Sequence, residues 1–501
     1  MSNDLKKVPI YKNNTKKIER TRNSKKRNEF IPKEFLGGML KYIHKQQEQK
    51  RNIGGDNMKL KKVFAMMLVA TMTMGLAACG GGDSKDEKKG DTAKTEESKT
   101  EEGGDDKLTI WAWDEAFNIK AAEVAKEMYA EKNPDVEIDI VTMAQDDIVT
   151  KLNTSLSSAS YDGLPDIVLI EDYKAQGYLT SYQDEFADLS DIVKDGAFAE
   201  YKMAANQVDG KTYGVPFDSG VAATFYRKDL VEQAGYTEAD MANLTWDKYI
   251  EIGQAVKEKC GVDMCTLDPS DIGQIRMMMQ SAGAWYTGED GEVTFADNQA
   301  LKDAIDVYQK LVESGCTKQV SGWDSFVGAF NNGEVASVVT GCWIAPSIQK
   351  AEDQSGKWAV APFPKMDANA DSVNASSIGG GGWYVLKNVG HEELAKDFLG
   401  NTFASSVDLM NQLATDITLV STMNAAAEAE NYKKGSEYFG GQEVFADFAK
   451  WTSEVPSVNY GMNTYVLEDL MTEALQAILN GADKDTTLED YQAQAEAATA
   501  Q

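Results

Sequence analysis

The residues able to do chemistry in this sequence are rings and carboxylates. All nine tryptophans lie beyond residue 110: Trp111, Trp113, Trp246, Trp285, Trp323, Trp343, Trp358, Trp383 and Trp451. An apolar interior does not require so many indoles, and several sit at expected strand ends or in glycine-rich turns. Planar rings stack on flat apolar faces, and carboxylates accept hydrogen bonds from hydroxyls. Histidine chemistry is nearly absent, because the chain holds only His44 and His391. That removes most triads, metal clusters and imidazole acid–base pairs. Cys260, Cys265, Cys316 and Cys342 have no histidine nearby and make a poor zinc set. They suit one or two disulfides in an exported protein, with Cys260–Cys265 the pair nearest in sequence, or else free thiols. The glycine run 379–382 lacks the Gly-x-x-x-x-Gly-Lys-Ser/Thr spacing of a phosphate cradle and reads as a close-approach turn. No cofactor and no metal is expected.

Charge divides the 501 residues into unlike pieces. Residues 1–57 hold 15 basic and 6 acidic side chains. They lack periodicity and read as a disordered extension or a mis-called start ahead of Met58. Residues 58–78 have the build of a signal peptide: Met58-Lys59-Leu60-Lys61-Lys62, then an uncharged, mostly apolar run from Val63 to Ala78, too short for a permanent span. The run ends in Leu76-Ala77-Ala78-Cys79, which resembles the lipobox of bacterial lipoproteins and implies a diacylglycerol on the Cys79 thiol. Residues 79–107 follow as lipidated cysteine and flexible acidic tether. Beyond residue 107 there are 26 basic and 64 acidic side chains, so no nucleic-acid partner is expected.

These rings and acids need elements to position them. Leu108 to Trp113 reads as a strand, Ala121 to Glu131 as a helix stopped by Asn133-Pro134, and Val136 to Val141 as a strand of period two. A helix over 146–157 leads to Leu164-Pro165-Asp166-Ile167-Val168-Leu169-Ile170, which reads as a buried strand stopped by Glu171-Asp172. Alternation of this kind is the signature of a parallel α/β sheet, whose ligands sit beyond the carboxyl ends of the strands. That position puts Trp113 to Glu115 and Glu171-Asp172 at a candidate site.

The segments Asn133-Pro134-Asp135-Val136, Leu164-Pro165-Asp166-Ile167-Val168, Tyr213-Gly214-Val215-Pro216 and Tyr226-Arg227-Lys228-Asp229-Leu230 occur in order. Thr245-Trp246-Asp247, Ala329-Phe330-Asn331-Asn332-Gly333 and Gly341-Cys342-Trp343 continue the series. Together they resemble the extracellular solute-binding proteins of family 1, the maltose-binding-protein type serving ABC importers for sugars. The resemblance runs from about Leu108 to the end. It implies an α/β fold of two lobes, each a sheet flanked by helices and each discontinuous in sequence, around a ligand cleft at the hinge. The first lobe is expected over 108–217 plus 366–418, the second over 218–365 plus 419–501. Hinge crossings are expected at Phe217 to Gly220, Pro362 to Lys365 and near 415–425.

A sugar offers hydroxyls at its edge and C–H faces above and below, which suits rings and carboxylates. The family pattern implies ligand contacts at Trp113, Glu115, Glu171, Asp172, Asp218, Ser219, Asp271, Trp343, Tyr460 and Tyr465. Trp285, Tyr286 and Trp383 join them on their glycine-flanked positions. Strand alternation turns one of Trp111 and Trp113 to the core, and Trp113 is taken for the cleft. Trp246, Trp358 and Trp451 read as packing residues.

The implied function is a non-enzymatic, monomeric binding lipoprotein on the outer face of the cell membrane. It would close on a carbohydrate, an oligosaccharide by expectation, and deliver it to the permease subunits of an ABC importer. Two alternatives stay open from the residues alone. One is a glycosidase with a carboxylate pair. The other is an importer protein for a different solute, since aromatic boxes also hold quaternary ammonium ions.

Overall fold

A computed structural model describes residues 107–500. The basic extension, the signal peptide, Cys79 and most of the tether lie outside the described residues. The order of elements starts with β1 (Lys107–Ala112), α1 (Asn118–Ala130), β2 (Glu137–Thr142), α2 (Gln145–Ser158) and β3 (Ile167–Glu171). Next come α3 (Asp172–Tyr182), α4 (Glu200–Asn206) and β4 (Gly214–Pro216). β1 pairs in parallel with both β2 and β3, as two strand–helix–strand units require. Its residues serve two cores by alternation. Leu108, Ile110 and Ala112 enter one buried cluster, and Trp111 enters the cluster on the opposite face. β3 divides likewise, with Ile167 and Leu169 on one face and Val168 and Ile170 on the other. A strand covered on both faces reads as an unbroken apolar run, which this one does.

The chain then builds a second lobe on β5 (Ala222–Arg227), α5 (Trp246–Cys260), α6 (Gly273–Ser281) and α7 (Trp323–Asn331), followed by β6 (Ser337–Gly341) and β7 (Trp358–Pro362). Thr245 caps α5, its hydroxyl accepting from the Lys248 N–H at 3.2 Å. β5 lies between β6 and β7, antiparallel to both. β8 (Gly381–Val385) returns to the first sheet, whose order is β2-β1-β3-β8-β4 with β8 antiparallel to its neighbours. α8 (Glu392–Asn401) and α9 (Val407–Asp416) cover that sheet, with Phe398 and Leu413 in its core. α10 (Thr464–Leu479) packs near the end of the chain.

Three segments lie side by side between the sheets. Ser219 N–H donates to Val420 O at 2.8 Å, Ile378 N–H donates to Gly220 O at 2.8 Å, and Phe217 N–H donates to Gly381 O at 3.0 Å. A Cβ on Gly220 would stand 2.5 Å from Ile378 O, so the strands meet this closely only because residue 220 is glycine. The middle passage therefore runs at 378–381 and not at Pro362 to Lys365. Pro362 instead ends β7, paired with Ala223. The lobe boundaries move with it. Residues 366–378 bond to the second lobe, Val373 N–H to Ser281 O at 2.8 Å and Ser376 Oγ to Met277 O at 2.7 Å. Met423, Ala426, Ala429 and Tyr432, expected in the second lobe, join the first lobe's core, because they pack with α9 rather than with β5.

Candidate functional site

The carboxyl ends of β1 and β3 open on a cavity of ≈ 650 Å³, and the second lobe closes its far side. Trp113 comes from the turn after β1. Asn118, buried at the start of α1, holds that turn by accepting from the N–H groups of Trp113 (3.1 Å) and Asp114 (3.0 Å). Trp111, one pleat away, is buried in the core. Trp323 and Trp343 face the same cavity from the second lobe, their ring centres 6.1 Å apart. Trp343 folds back over its own strand end. Its Nε1–H donates to Ile378 O at 3.0 Å, and a Cβ on residue 341 would lie 2.1 Å from that nitrogen. The sequence Gly341-Cys342-Trp343 thus places the indole by leaving out one methyl group. Trp323 begins α7 and is 53% exposed, a large ring with little packing of its own.

A second cavity of ≈ 490 Å³ adjoins the first and shares Glu171, Trp323 and Trp343 with it. Volumes of this order suit a small ligand. Glu171 stands at the junction. Its Oε1 accepts from the Tyr465 hydroxyl at 2.7 Å and its Oε2 from Lys174 and from Gln145, the latter at 3.3 Å. Asp218 lines the larger cavity from the crossing, and its Oδ1 accepts from Gly381 N–H at 2.9 Å. Burial pushes its carboxyl up, with Lys202 pulling the other way. Asp271 lines the smaller cavity and caps its own turn by accepting from Gly273 N–H at 2.9 Å. Thr418 also faces the larger cavity, at φ +58°, a left-handed conformation that a β-branched residue rarely holds.

The cavities therefore gather Trp113, Glu171, Asp218, Asp271 and Trp343, with Tyr465 beside them on Glu171. Other expected residues stand elsewhere. Glu115 is exposed and lines neither cavity. Asp172 is fully buried against Lys202, Nζ to Oδ2 2.6 Å, and burial pushes its carboxyl up to about 6. Ser219 is buried in a hydroxyl chain with Tyr201 and Thr452. Trp285 stacks on Tyr173 at 5.4 Å and gives its Nε1–H to Thr464, while Tyr460 packs edge-on to both rings. Tyr286 and Trp383 are fully buried, the latter between Phe217 and Phe403. These indoles and phenols are core because residues distant in sequence cover them. The glycine before Trp383 relieves packing, since a Cβ on Gly382 would lie 2.4 Å from Asn206 Oδ1. Gly283 before Trp285 does sit in a turn, at φ +68° with open space around it, and the indole beyond it is buried all the same. Trp323, Asn118 and Arg276 were not among the expected site residues. No sequence signal marked Trp323, whose exposure is a property of the fold. Among the described residues no cluster of His, Cys, Asp and Glu could hold a metal ion, and all four described cysteines are free.

Rings offered by both lobes to one cavity, over three crossing segments, define a two-lobed ligand-binding protein. The chain belongs to the bacterial extracellular solute-binding proteins, whose family model matches residues 125–440. It is 42% identical over 388 residues to the lactose-binding protein of Rhizobium radiobacter, covering 77% of this chain and 92% of that one. It is 26% identical over 351 residues to the arabinooligosaccharide-binding protein of Bacillus subtilis (strain 168), covering 68% and 76% respectively. Among solved structures, the fold is shared with the galacto-N-biose-/lacto-N-biose I-binding protein of an ABC transporter from Bifidobacterium longum. That match has a TM-score of 0.64 at 23% identity, over 80% of this chain and 98% of that one. The sugar-binding protein MalE of Xanthomonas citri matches with a TM-score of 0.66 at 17% identity, over 77% and 96%. All four relatives are binding proteins by name.

Proposed function

We propose that this protein captures a di- or oligosaccharide between its lobes and presents it to the permease subunits of an ABC importer, without catalysing a reaction. The observation that carries this reading is the larger cavity, where Trp113 of one lobe and Trp323 and Trp343 of the other face a common space edged by Glu171 and Asp218. Indoles supply plates for the C–H faces of a sugar, and the carboxylates take its hydroxyl donors. Trp113, Glu171, Asp218, Asp271, Trp343 and Tyr465 are the proposed contacts, with Trp323 added. Lobe closure about the three crossings traps the ligand. The name of the relative at 42% identity makes lactose the first sugar to try. Calorimetry against lactose, arabino-oligosaccharides and maltodextrins tests the reading. The expected result is a micromolar dissociation constant, about −8 kcal/mol, for at least one of them. No heat with any sugar, together with binding of another solute class, overturns it.

The protein is further proposed to be exported as a monomer and held at the outer face of the membrane by lipid on Cys79. Cys79→Ser is expected to release it into the soluble fraction. Persistent membrane binding of that variant rejects the anchor.

A further inference from the structure

We infer that Arg276 is a ligand contact, donating to an uncharged oxygen of the bound molecule and making this end of the cleft selective for such an oxygen. The inference rests on the sugar-binding reading and names a residue and a preference within it.

Arg276 lies in the run Gln274-Ile275-Arg276-Met277-Met278-Met279 of α6, a lone cation among apolar neighbours. It lines the smaller cavity and is only 8% exposed. A guanidinium carries five N–H donors and no acceptor. Here Nε and Nη1 are buried without a hydrogen-bond acceptor among the described residues. Glu468 Oε1 lies 3.2 Å from Nε, a charge contact without hydrogen-bond alignment. Tyr173 of the first lobe offers its ring face, 5.0 Å from Cζ, which attracts the charge but accepts no directed bond in its plane.

The acids of the same cavity each already accept at least one hydrogen bond and keep lone pairs for the ligand's hydroxyl donors. Asp268 accepts from Ser270 N–H and Oγ–H and from Gly322 N–H, Asp271 from Gly273 N–H, and Glu171 from Tyr465, Lys174 and Gln145. The cavity also holds Gln274 Oε1, a buried acceptor without a donor, but its unmet charged group is Arg276, which requires an acceptor. A quaternary ammonium ion brings none. A carboxylate brings one but meets three carboxylates around it. A hydroxyl, ring or glycosidic oxygen satisfies Arg276 without that repulsion.

Calorimetry of the wild-type protein, Arg276→Met and Arg276→Lys tests this with lactose and its analogues lacking one hydroxyl each. A hydrogen bond to a charged donor is worth roughly 10- to 150-fold in affinity. One deoxy analogue is expected to bind the wild type weaker by about that factor, and the same deletion is expected to cost Arg276→Met less than about 3-fold. A lactose analogue carrying a carboxylate at C6 of galactose is expected to bind the wild type more weakly than lactose. A purely structural arginine would weaken all ligands alike, so equal penalties in wild type and Arg276→Met overturn the inference. Arg276→Lys keeps a charged donor and is expected to keep part of the penalty. Should the methionine variant fail to fold, Arg276→Leu takes its place, and equal penalties there also overturn the inference. Wild-type protein that binds no sugar overturns the sugar-binding reading itself, a distinguishable failure.

Discussion

The Tyr465 hydroxyl donates to Glu171 Oε1 at 2.7 Å, and this bond joins α10 to the carboxyl end of β3 across the mouth of the cleft. Lys174 reinforces it, pairing with Glu171 and standing 4.2 Å from the centre of the Tyr465 ring. The ring is 39% exposed, so the bond is worth about 1 kcal/mol. Tyr465→Phe is expected to weaken sugar binding about 5-fold with little loss of thermal stability. Calorimetry paired with a thermal melt checks it, and an unchanged dissociation constant removes the bond from the closing mechanism.

The tryptophans divide into two groups with opposite expected behaviour. Trp113→Ala, Trp323→Ala and Trp343→Ala should each cost about 10-fold or more in affinity, roughly 1.4 kcal/mol, and little stability. Trp383→Ala and Trp285→Ala remove fully buried indoles and should cost roughly 3–5 kcal/mol of folding free energy. Denaturant titration and calorimetry on the five variants sort them. Cleft variants that unfold early but bind normally would reverse the assignment.

Lys202 and Asp172 form an ion pair beside the crossing strands, with side chains 0% and 1% exposed. Lys202 Nζ also donates to Gly381 O at 3.0 Å. Lys202→Met leaves a buried carboxylate without its partner and is expected to cost roughly 3–5 kcal/mol. Adding Asp172→Asn should recover a large part of that loss. Simple additivity of the two single effects, measured by denaturant unfolding, would show that the pair is not coupled.

Glu468 introduces a pH dependence of definite sign. Burial outweighs Arg276 and pushes its carboxyl from the ordinary 4.5 up to about 6. Between those values the folded state holds a proton that the unfolded chain has released. Its stabilising contribution is thus full below about 4.5 and is lost as pH rises to about 6. The shift corresponds to roughly 2 kcal/mol. Glu468→Gln carries a constant offset from the altered contact with Arg276, but should gain on the wild type by that amount between pH 4 and 7. A stability difference that stays flat across this range rejects the argument.

The strands were legible because their cause is local. Ile167 to Ile170 is an unbroken apolar run, and a run of that length buried on both faces has few other uses. Thr245 was legible as a helix cap for the same reason. Trp285 and Trp383 misled, because a glycine, whether it opens a turn as Gly283 does or admits a packed neighbour as Gly382 does, says nothing of the distant residues, Thr464 and Phe217, that cover the indole. Arg276 was hidden among methionines, where only three-dimensional bookkeeping of donors and acceptors reveals a shortage. The family resemblance implies a middle crossing at Pro362 to Lys365, and resemblance alone does not fix which segment pairs across the hinge. The pairing that decides the matter, Ile378 with Gly220, joins residues more than 150 positions apart.

The four free cysteines have a consequence for where this protein can fold. Cys265, Cys316 and Cys342 are buried, and burial pushes the Cys265 thiol up to about 12 and raises the other two. Cys342 donates its S–H to Ser219 O. A thiol kept protonated and shielded is slow both to exchange and to oxidise. The described fold therefore asks for no oxidant, isomerase or disulfide relay during maturation, and it tolerates an oxygen-rich exterior as readily as an anoxic one. Among the described cysteines, only the part-exposed Cys260 is open to that exterior's redox chemistry.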